Sequence, residues 1–133
     1  MTDLSITTCT PVRVIEQYTG PAAEAIAVGQ YVRFNVTSGT IELGKGTTSA
    51  EARSGGIAIK AALAAGDTVT FVRKGVLDVG NALSALTYDD DVFLSDTDGT
   101  LADAAGTVSK IVATVVPGYA VTTTYDKLLR VDL

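Results

Sequence analysis

The chain has 133 residues, 47% of them hydrophobic, and carries a formal net charge of −5. A chain of this length is expected to form one domain, and its apolar fraction is large enough to supply a core. Its ten basic residues are scattered, whereas phosphate binding needs clustered Lys and Arg, so a nucleic-acid partner is not expected. No apolar run reaches bilayer-spanning length and the N-terminus lacks the features of a signal peptide, so we expect a soluble protein made inside the cell and no membrane partner.

Reactive side chains are scarce in this sequence. It contains no histidine, and its one cysteine is Cys9. A Ser-His-Asp triad, a Cys-His pair and a histidine zinc site are therefore excluded, and a single cysteine cannot form an internal disulfide. We expect a protein that is not an enzyme and that has no catalytic residues, no cofactor and no metal.

The first twelve residues are rich in threonine. Leu4 and Ile6 alternate with polar residues, which is typical of extended chain, but the segment has few large apolar groups to hold it down. Two interpretations stay open: a frayed terminus, or an arm that adds a strand to a neighbouring chain. We predict an N-terminal arm over residues 1–12 and a single β domain over residues 13–133.

The first predicted strand covers residues 12–17, and the Thr-Gly-Pro sequence at 19–21 is a turn signal that follows it. Residues 21–28 are rich in alanine and could form one helical turn, although the segment is short.

Residues 31–43 predict a hairpin. Val32 and Phe34 point one way and Tyr31 the other, a period of two that indicates a half-buried strand. Gly39 supplies the positive φ that a tight turn needs.

The middle of the chain continues with a Gly-rich loop over 44–56 and a strand over 57–59. Residues 60–65 are ambiguous, because alanine favours helix, and Gly66 would be a helix cap or a turn residue.

Further strands follow this loop region. In residues 67–73, apolar and polar side chains alternate, which predicts a strand with Val69 and Phe71 pointing inward. Gly75 is predicted to form a bulge in this strand, which resumes over 76–79. The last predicted strands cover 109–116 and 127–133.

A repeat with an offset of 60 residues relates the two halves of the sequence. The segment 91–103 resembles 31–43 in sequence, and Leu129 and Val131 follow Val69 and Phe71 by the same 60 residues. We predict an internal duplication with pseudo-repeats at about 26–79 and 86–133, with chance similarity of hairpins as the alternative. The expected fold is all-β, a small β-sandwich or barrel of about 8–10 short strands plus the extended N-terminal arm.

Two segments resemble binding motifs in their spacing. Residues 39–45 have the glycines and lysine of a phosphate loop, but the next residue is Gly46 instead of Ser or Thr, and the segment spans a hairpin turn. Asp96 and Asp98 resemble the start of a calcium loop that lacks its downstream glutamate. We therefore predict neither a nucleotide site nor a calcium site.

The layout of the turns and strands resembles a known family. A Gly-x-x-Val segment precedes a strand, and a Gly-Thr turn, a Gly-Ile-Ala strand and an Ala-Gly-Asp-x-Val-x-Phe-Val-x-x-Gly segment follow, at residues 29–32, 39–40, 56–58 and 65–75. Together with 90–94, 99–101 and the terminal Leu-Arg-Val-Asp-Leu, they are similar to the capsid decoration, or cement, proteins of tailed bacteriophages.

The resemblance implies a protein made in the host cytoplasm that resides on the outer capsid surface of the virion. It would bind the major capsid protein of an icosahedral phage head, stabilise contacts between neighbouring subunits, and associate with itself as a homotrimer. We expect the arm to contact the shell as an added strand, through Leu4, Ile6, Thr8 and Val12.

Two other functions stay open. One is a β-sandwich module that binds a carbohydrate or another polymer; the absence of Trp and the dispersed positions of the five Tyr argue against it. The other is a different structural component of the virion.

Overall fold

The computed structural model of the protein describes residues 2–53, 55–118 and 127–133. These residues form nine β-strands and no helix. The strands are β1 (Thr10–Pro21), β2 (Tyr31–Phe34), β3 (Ile41–Leu43), β4 (Gly56–Lys60), β5 (Thr68–Asp78), β6 (Asp91–Leu94), β7 (Leu101–Ala102), β8 (Ile111–Pro117) and β9 (Lys127–Asp132). They pair antiparallel in one curled sheet that forms a half-barrel, so the all-β prediction is confirmed. Two strands are long instead of short, with 12 residues in β1 and 11 in β5.

The order of the strands repeats between the two halves of the chain. The sheet runs β3-β2-β4-β5-β9-β8-β6-β7, so each half consists of a hairpin followed by two further strands, in mirrored order. The hairpins share their register, because Phe34 pairs with Ile41 as Leu94 pairs with Leu101. This topology agrees with the repeat found in the sequence, while an origin by duplication stays a prediction.

The sheet has a core on each face. Tyr31 and Val32 are neighbours on β2 and both are fully buried, although adjacent side chains of a strand point to opposite faces. The larger core comprises Cys9, Tyr31, Ala52, Ile57, Val72, Leu77, Val79, Leu83, Leu86, Val92, Leu94, Leu101, Val112, Ala113, Val115, Leu129 and Val131. The smaller core comprises Ala22, Ile26, Val32, Ile41, Ala58, Ala62, Val69 and Phe71. The prediction that β2 is half-buried is therefore wrong, because both of its faces are covered.

The matched positions of the repeat do not share a face. Val69 and Phe71 lie in the smaller core, whereas Leu129 and Val131 lie in the larger one. The register of β1 against β5 leaves Arg73 as an extra residue, a bulge that reverses the alternation of the side chains beyond it. Leu77, which pairs with Leu129, therefore faces the larger core. Positions related by the 60-residue offset therefore need not face the same core, because a bulge moves the side chains beyond it to the opposite face of the sheet while the offset stays the same.

Gly75, predicted as a bulge, is itself paired, with Val14 on one side and Val131 on the other. The irregular residues are Arg73 on β5, and Val12 and Ile15 on β1. A Cβ at Gly75 would lie 2.3 Å from the Arg13 carbonyl oxygen, so glycine is needed there to admit the irregular backbone of β1.

Neither alanine-rich segment forms a helix. Ile26 donates to the Ala62 carbonyl at 2.8 Å and Ala62 donates back to Ile26 at 2.9 Å, so the two segments are joined by an isolated antiparallel bridge. Short helices are marginal in water, so these cross-chain hydrogen bonds decide the conformation. β1 also extends past residue 17, where the predicted strand stopped, and ends at Pro21.

Several turn predictions are confirmed. Gly39 has φ 73° in the first hairpin, and Gly66 has φ 92° in a turn. The segment between the strands predicted at 109–116 and 127–133 includes residues 119–126, which lie outside the described residues.

The position of β1 follows from the partners of β5. Phe71 pairs with Tyr18 of β1 and with Ala58 of β4. Leu77 pairs with Pro11 of β1 and with Leu129 of β9. Because a strand has only two edges, β1 occupies one edge of β5 along its whole length, and β4 and β9 share the other edge. The outer edge of β1 is therefore a boundary of the sheet.

Candidate protein-binding edge

Three strands lie at boundaries of the sheet, and the chain covers two of them with its own segments. At β3, Ala22 forms a bridge with Ile41, and the Ala23 amide donates to the Ile41 carbonyl at 2.7 Å. At β7, Asp3 forms a bridge with Ala102. At β1, the outer edge meets no strand in the described part of the chain. Natural proteins usually cover or blunt such edges, because unpaired backbone groups can recruit another chain.

The open β1 edge also carries exposed apolar side chains. Val12, Val14 and Tyr18 are 39–40% exposed and Ile15 is 63% exposed. These are four of the nine large hydrophobic side chains that are exposed within the described ranges. Unpaired backbone groups beside exposed apolar side chains fit the addition of another extended chain.

Prolines limit the length of this edge. Pro11 and Pro21 lie at the two ends of β1, and proline has no amide hydrogen to donate to a partner strand. The bulges at Val12 and Ile15 further shape the strand between them. Pairing of a partner chain with this edge would therefore lack a backbone donor near each end of β1.

The structure separates the four residues predicted to contact a partner. Leu4 and Ile6 are half-buried and pack against the larger core, whereas Thr8 and Val12 are exposed. A Cβ added to Gly29 would lie 2.3 Å from Ile6 Cγ2, so the side chain of Ile6 occupies the space that this glycine leaves. Residues 2–9 thus lie on the body in this conformation, and Val12 already belongs to β1. A role of the four residues in shell contact stays a prediction.

Cys9 marks the point where the N-terminal segment enters the sheet. Its side chain is buried in the larger core. Burial, together with the charge of Asp78, raises the pKa of the thiol to about 11. A thiol held neutral in this way is a poor nucleophile, which fits a packing role.

The two motif-like segments hold each other in place. Lys45 Nζ lies 3.5 Å from Asp98 Oδ1 and 3.6 Å from Glu51 Oε2. The Asp96 carboxylate accepts hydrogen bonds of 2.8 Å from both the backbone amide and the hydroxyl of Thr107. These side chains therefore connect loops of the protein. In the described residues, no three His, Cys, Asp or Glu side chains are grouped closely enough to hold a metal ion.

An aromatic cluster was missed by sequence reasoning. Tyr18, Phe34 and Phe71 come from three different strands, and their ring centroids lie 5.4 to 5.9 Å apart. Tyr18 and Phe34 are about 40% exposed. The three residues are far apart in the sequence and meet only through pairing of the strands, so no local pattern could indicate them.

Within the described ranges, the structure contains no helix that is long and apolar enough to cross a membrane. No family model, no curated protein and no solved structure matches the chain. Its function is therefore inferred from its own residues and from the resemblance of its motifs.

Proposed function

We propose that the protein is a non-catalytic structural component of a phage virion. In this proposal it is a decoration, or cement, protein on the outer surface of an icosahedral head, where it binds the major capsid protein and stabilises contacts between neighbouring subunits. The motif layout supports the family, and the single observation that carries a binding role is the set of apolar side chains that β1 exposes, which includes Val12 of the predicted shell contact.

The construction of the body suits a protein that holds others in place. Both faces of the first half of the sheet are buried under side chains, which gives a stiff support to the strands that bear exposed residues. Many copies on a symmetric shell act together, so individually weak contacts sum to firm attachment.

The proposed shell contact lies at the start of β1. Thr8 and Val12 are the exposed members of the predicted set, whereas Leu4 and Ile6 are half-buried and pack against the larger core. Deleting the segment would remove core residues as well, so point substitutions at the exposed positions are the appropriate test.

The test is co-sedimentation with empty heads assembled from the major capsid protein of the same phage genome. We expect saturable binding of the natural protein, and a loss on the order of tenfold in affinity, or about 1.4 kcal/mol, for Thr8→Lys and for Val12→Lys. Thr87→Lys, the same substitution at an exposed threonine elsewhere, is the matched control. No binding of the natural protein would overturn the proposed function, and unchanged binding of both variants would overturn the contact surface.

The aromatic cluster favours the second candidate, a carbohydrate- or polymer-binding module. However, the rings of Tyr18 and Phe34 meet at 81°, so they form no flat surface on which a sugar could stack. Binding to a glycan array that is lost in Tyr18→Ala would favour this alternative over the capsid role.

A further inference from the structure

The centre of β1 carries opposite charges on one face. Arg13 pairs with Val76 and Glu16 pairs with Lys74 of β5. Val76 and Lys74 are two residues apart on a strand, so their side chains point to the same face, and directly paired residues share a face. Arg13 and Glu16 therefore project from the same side of β1.

The bulge at Ile15 makes this arrangement symmetric. Without it, residues 13 and 16 would alternate to opposite faces, because their separation is odd. With Ile15 as the extra residue, Arg13 and Glu16 flank the Val14–Ile15 pair at equal distances along the strand. A twofold axis between Val14 and Ile15 would therefore place Arg13 of a second copy opposite Glu16 of the first.

From this symmetry we propose that β1 pairs antiparallel with β1 of a second copy of the chain. Arg13 of each copy lies opposite Glu16 of the other, and the exposed Val14 and Ile15 side chains of the two copies meet at the axis. The two half-barrels then share one continuous sheet.

The charges of the strand support a second copy as the occupant. Arg13 takes part in none of the ion pairs found among the described residues. Glu16 accepts a hydrogen bond of 2.8 Å from the Tyr18 hydroxyl and lies beside Lys74 across the pair with β5. Opposite charges placed directly across an antiparallel pair stabilise it, and a twofold contact forms this ion pair twice.

The symmetry distinguishes this assembly from the homotrimer that the family resemblance implies. A threefold ring joins two different surfaces of each copy, whereas a twofold contact joins one self-complementary surface to itself. The Arg13 and Glu16 charges of β1 make its outer edge self-complementary, as a twofold contact requires. The inference concerns self-association only, so it does not rest on binding to a capsid.

The experiment is a native mass measurement of the full chain, combined with sedimentation at several concentrations. We expect a mass of two copies. Arg13→Glu and Glu16→Arg each place like charges opposite each other and should raise the dissociation constant at least on the order of tenfold. Lys60→Glu reverses an exposed charge on another strand and is the matched control.

The double variant Arg13→Glu/Glu16→Arg restores opposite charges across the axis. Its dissociation constant is expected to return to within a few-fold of the natural value, a recovery that general damage to the fold cannot produce. A monomer, a mass of three copies, or a dimer that neither single reversal weakens would overturn the twofold pairing. Because binding to heads is measured separately, a monomer that still co-sediments with heads would overturn this inference and leave the proposed function intact.

Discussion

Ser95 donates a hydrogen bond of 2.6 Å to Asp3, across 92 positions of the sequence. Ser95 is fully buried, and Thr97 adds a hydrogen bond of 3.0 Å to the second carboxylate oxygen of Asp3. One acidic side chain at the N-terminus thus holds the residues that follow β6, in the second half of the sheet. The N-terminal segment is tied to the body by polar contacts as well as by Leu4 and Ile6.

We expect Ser95→Ala to lower the free energy of unfolding by about 1–3 kcal/mol, because hydrogen bonds to charged groups are worth this amount. Urea unfolding of the two proteins measures the difference. Ser38→Ala is the control, since Ser38 is exposed in the first hairpin and should cost less than about 0.5 kcal/mol. Equal costs at the two positions would show that the contact with Asp3 does not stabilise the fold.

Gly29 provides a test of how Ile6 packs. Gly29 and Gly66 both have positive φ, at 83° and 92°, but only at Gly29 would a Cβ meet a neighbour, Ile6 Cγ2 at 2.3 Å. Gly66→Ala should cost about 1–2 kcal/mol for its backbone conformation alone. Gly29→Ala should cost about 1–3 kcal/mol more, because Ile6 must move.

The same pair of variants reports on the N-terminal segment itself. Displacing Ile6 should expose the Leu4 amide, which donates to the Leu101 carbonyl at 2.8 Å, to faster hydrogen exchange in Gly29→Ala than in Gly66→Ala. If exchange at Leu4 were the same in both, the segment would not depend on the packing of Ile6.

The hydroxyl of Tyr31 fixes the loop that precedes β4. It donates to the Arg53 carbonyl and accepts from the Gly55 amide at 3.0 Å. Tyr31→Phe keeps the ring but leaves both groups without this partner, so we expect a loss of about 1–3 kcal/mol in urea unfolding. Tyr18→Phe removes a hydroxyl that donates to the exposed carboxylate of Glu16, and should cost less than about 0.5 kcal/mol. The reverse ranking would contradict the role of Tyr31.

Burial of Cys9 and Tyr31 predicts a loss of stability at alkaline pH. Burial raises the pKa of Cys9 from 9.0 to about 11 and that of Tyr31 from 10.0 to about 12. The folded state therefore holds its protons at pH values where the unfolded state has lost them. By linkage, this stability is fully present below pH 9 and decreases as the pH rises through the folded-state values.

The cysteine contribution can be separated by substitution. Two pKa units correspond to about 3 kcal/mol, so Cys9→Ala should flatten the decline in unfolding free energy between pH 9 and 11. Because the substitution also removes buried volume, the slope with pH is the relevant measurement and not the absolute stability. An unchanged slope would show that Cys9 titrates normally in the folded protein.

The sequence by itself determined the elements whose signal is local. Alternating side chains and the turn glycine at Gly39 located the first hairpin, and the repeat at 91–103 located its counterpart. The period of two arises from the strand backbone and the turn from the freedom of glycine at positive φ, so neither depends on distant residues.

Only the tertiary structure decided which face each strand buries and which edge stays open. The bulge at Arg73 reverses the face that Leu77 presents, and the pairing of β1 with β5 brings Tyr18 onto Phe71. The docking of residues 2–9 covers β7 and places Leu4 and Ile6 against the larger core, whereas the outer edge of β1 receives no covering strand from the described residues. These features depend on contacts between residues far apart in the chain, and a pattern of adjacent residues contains no information about which distant segment will cover it.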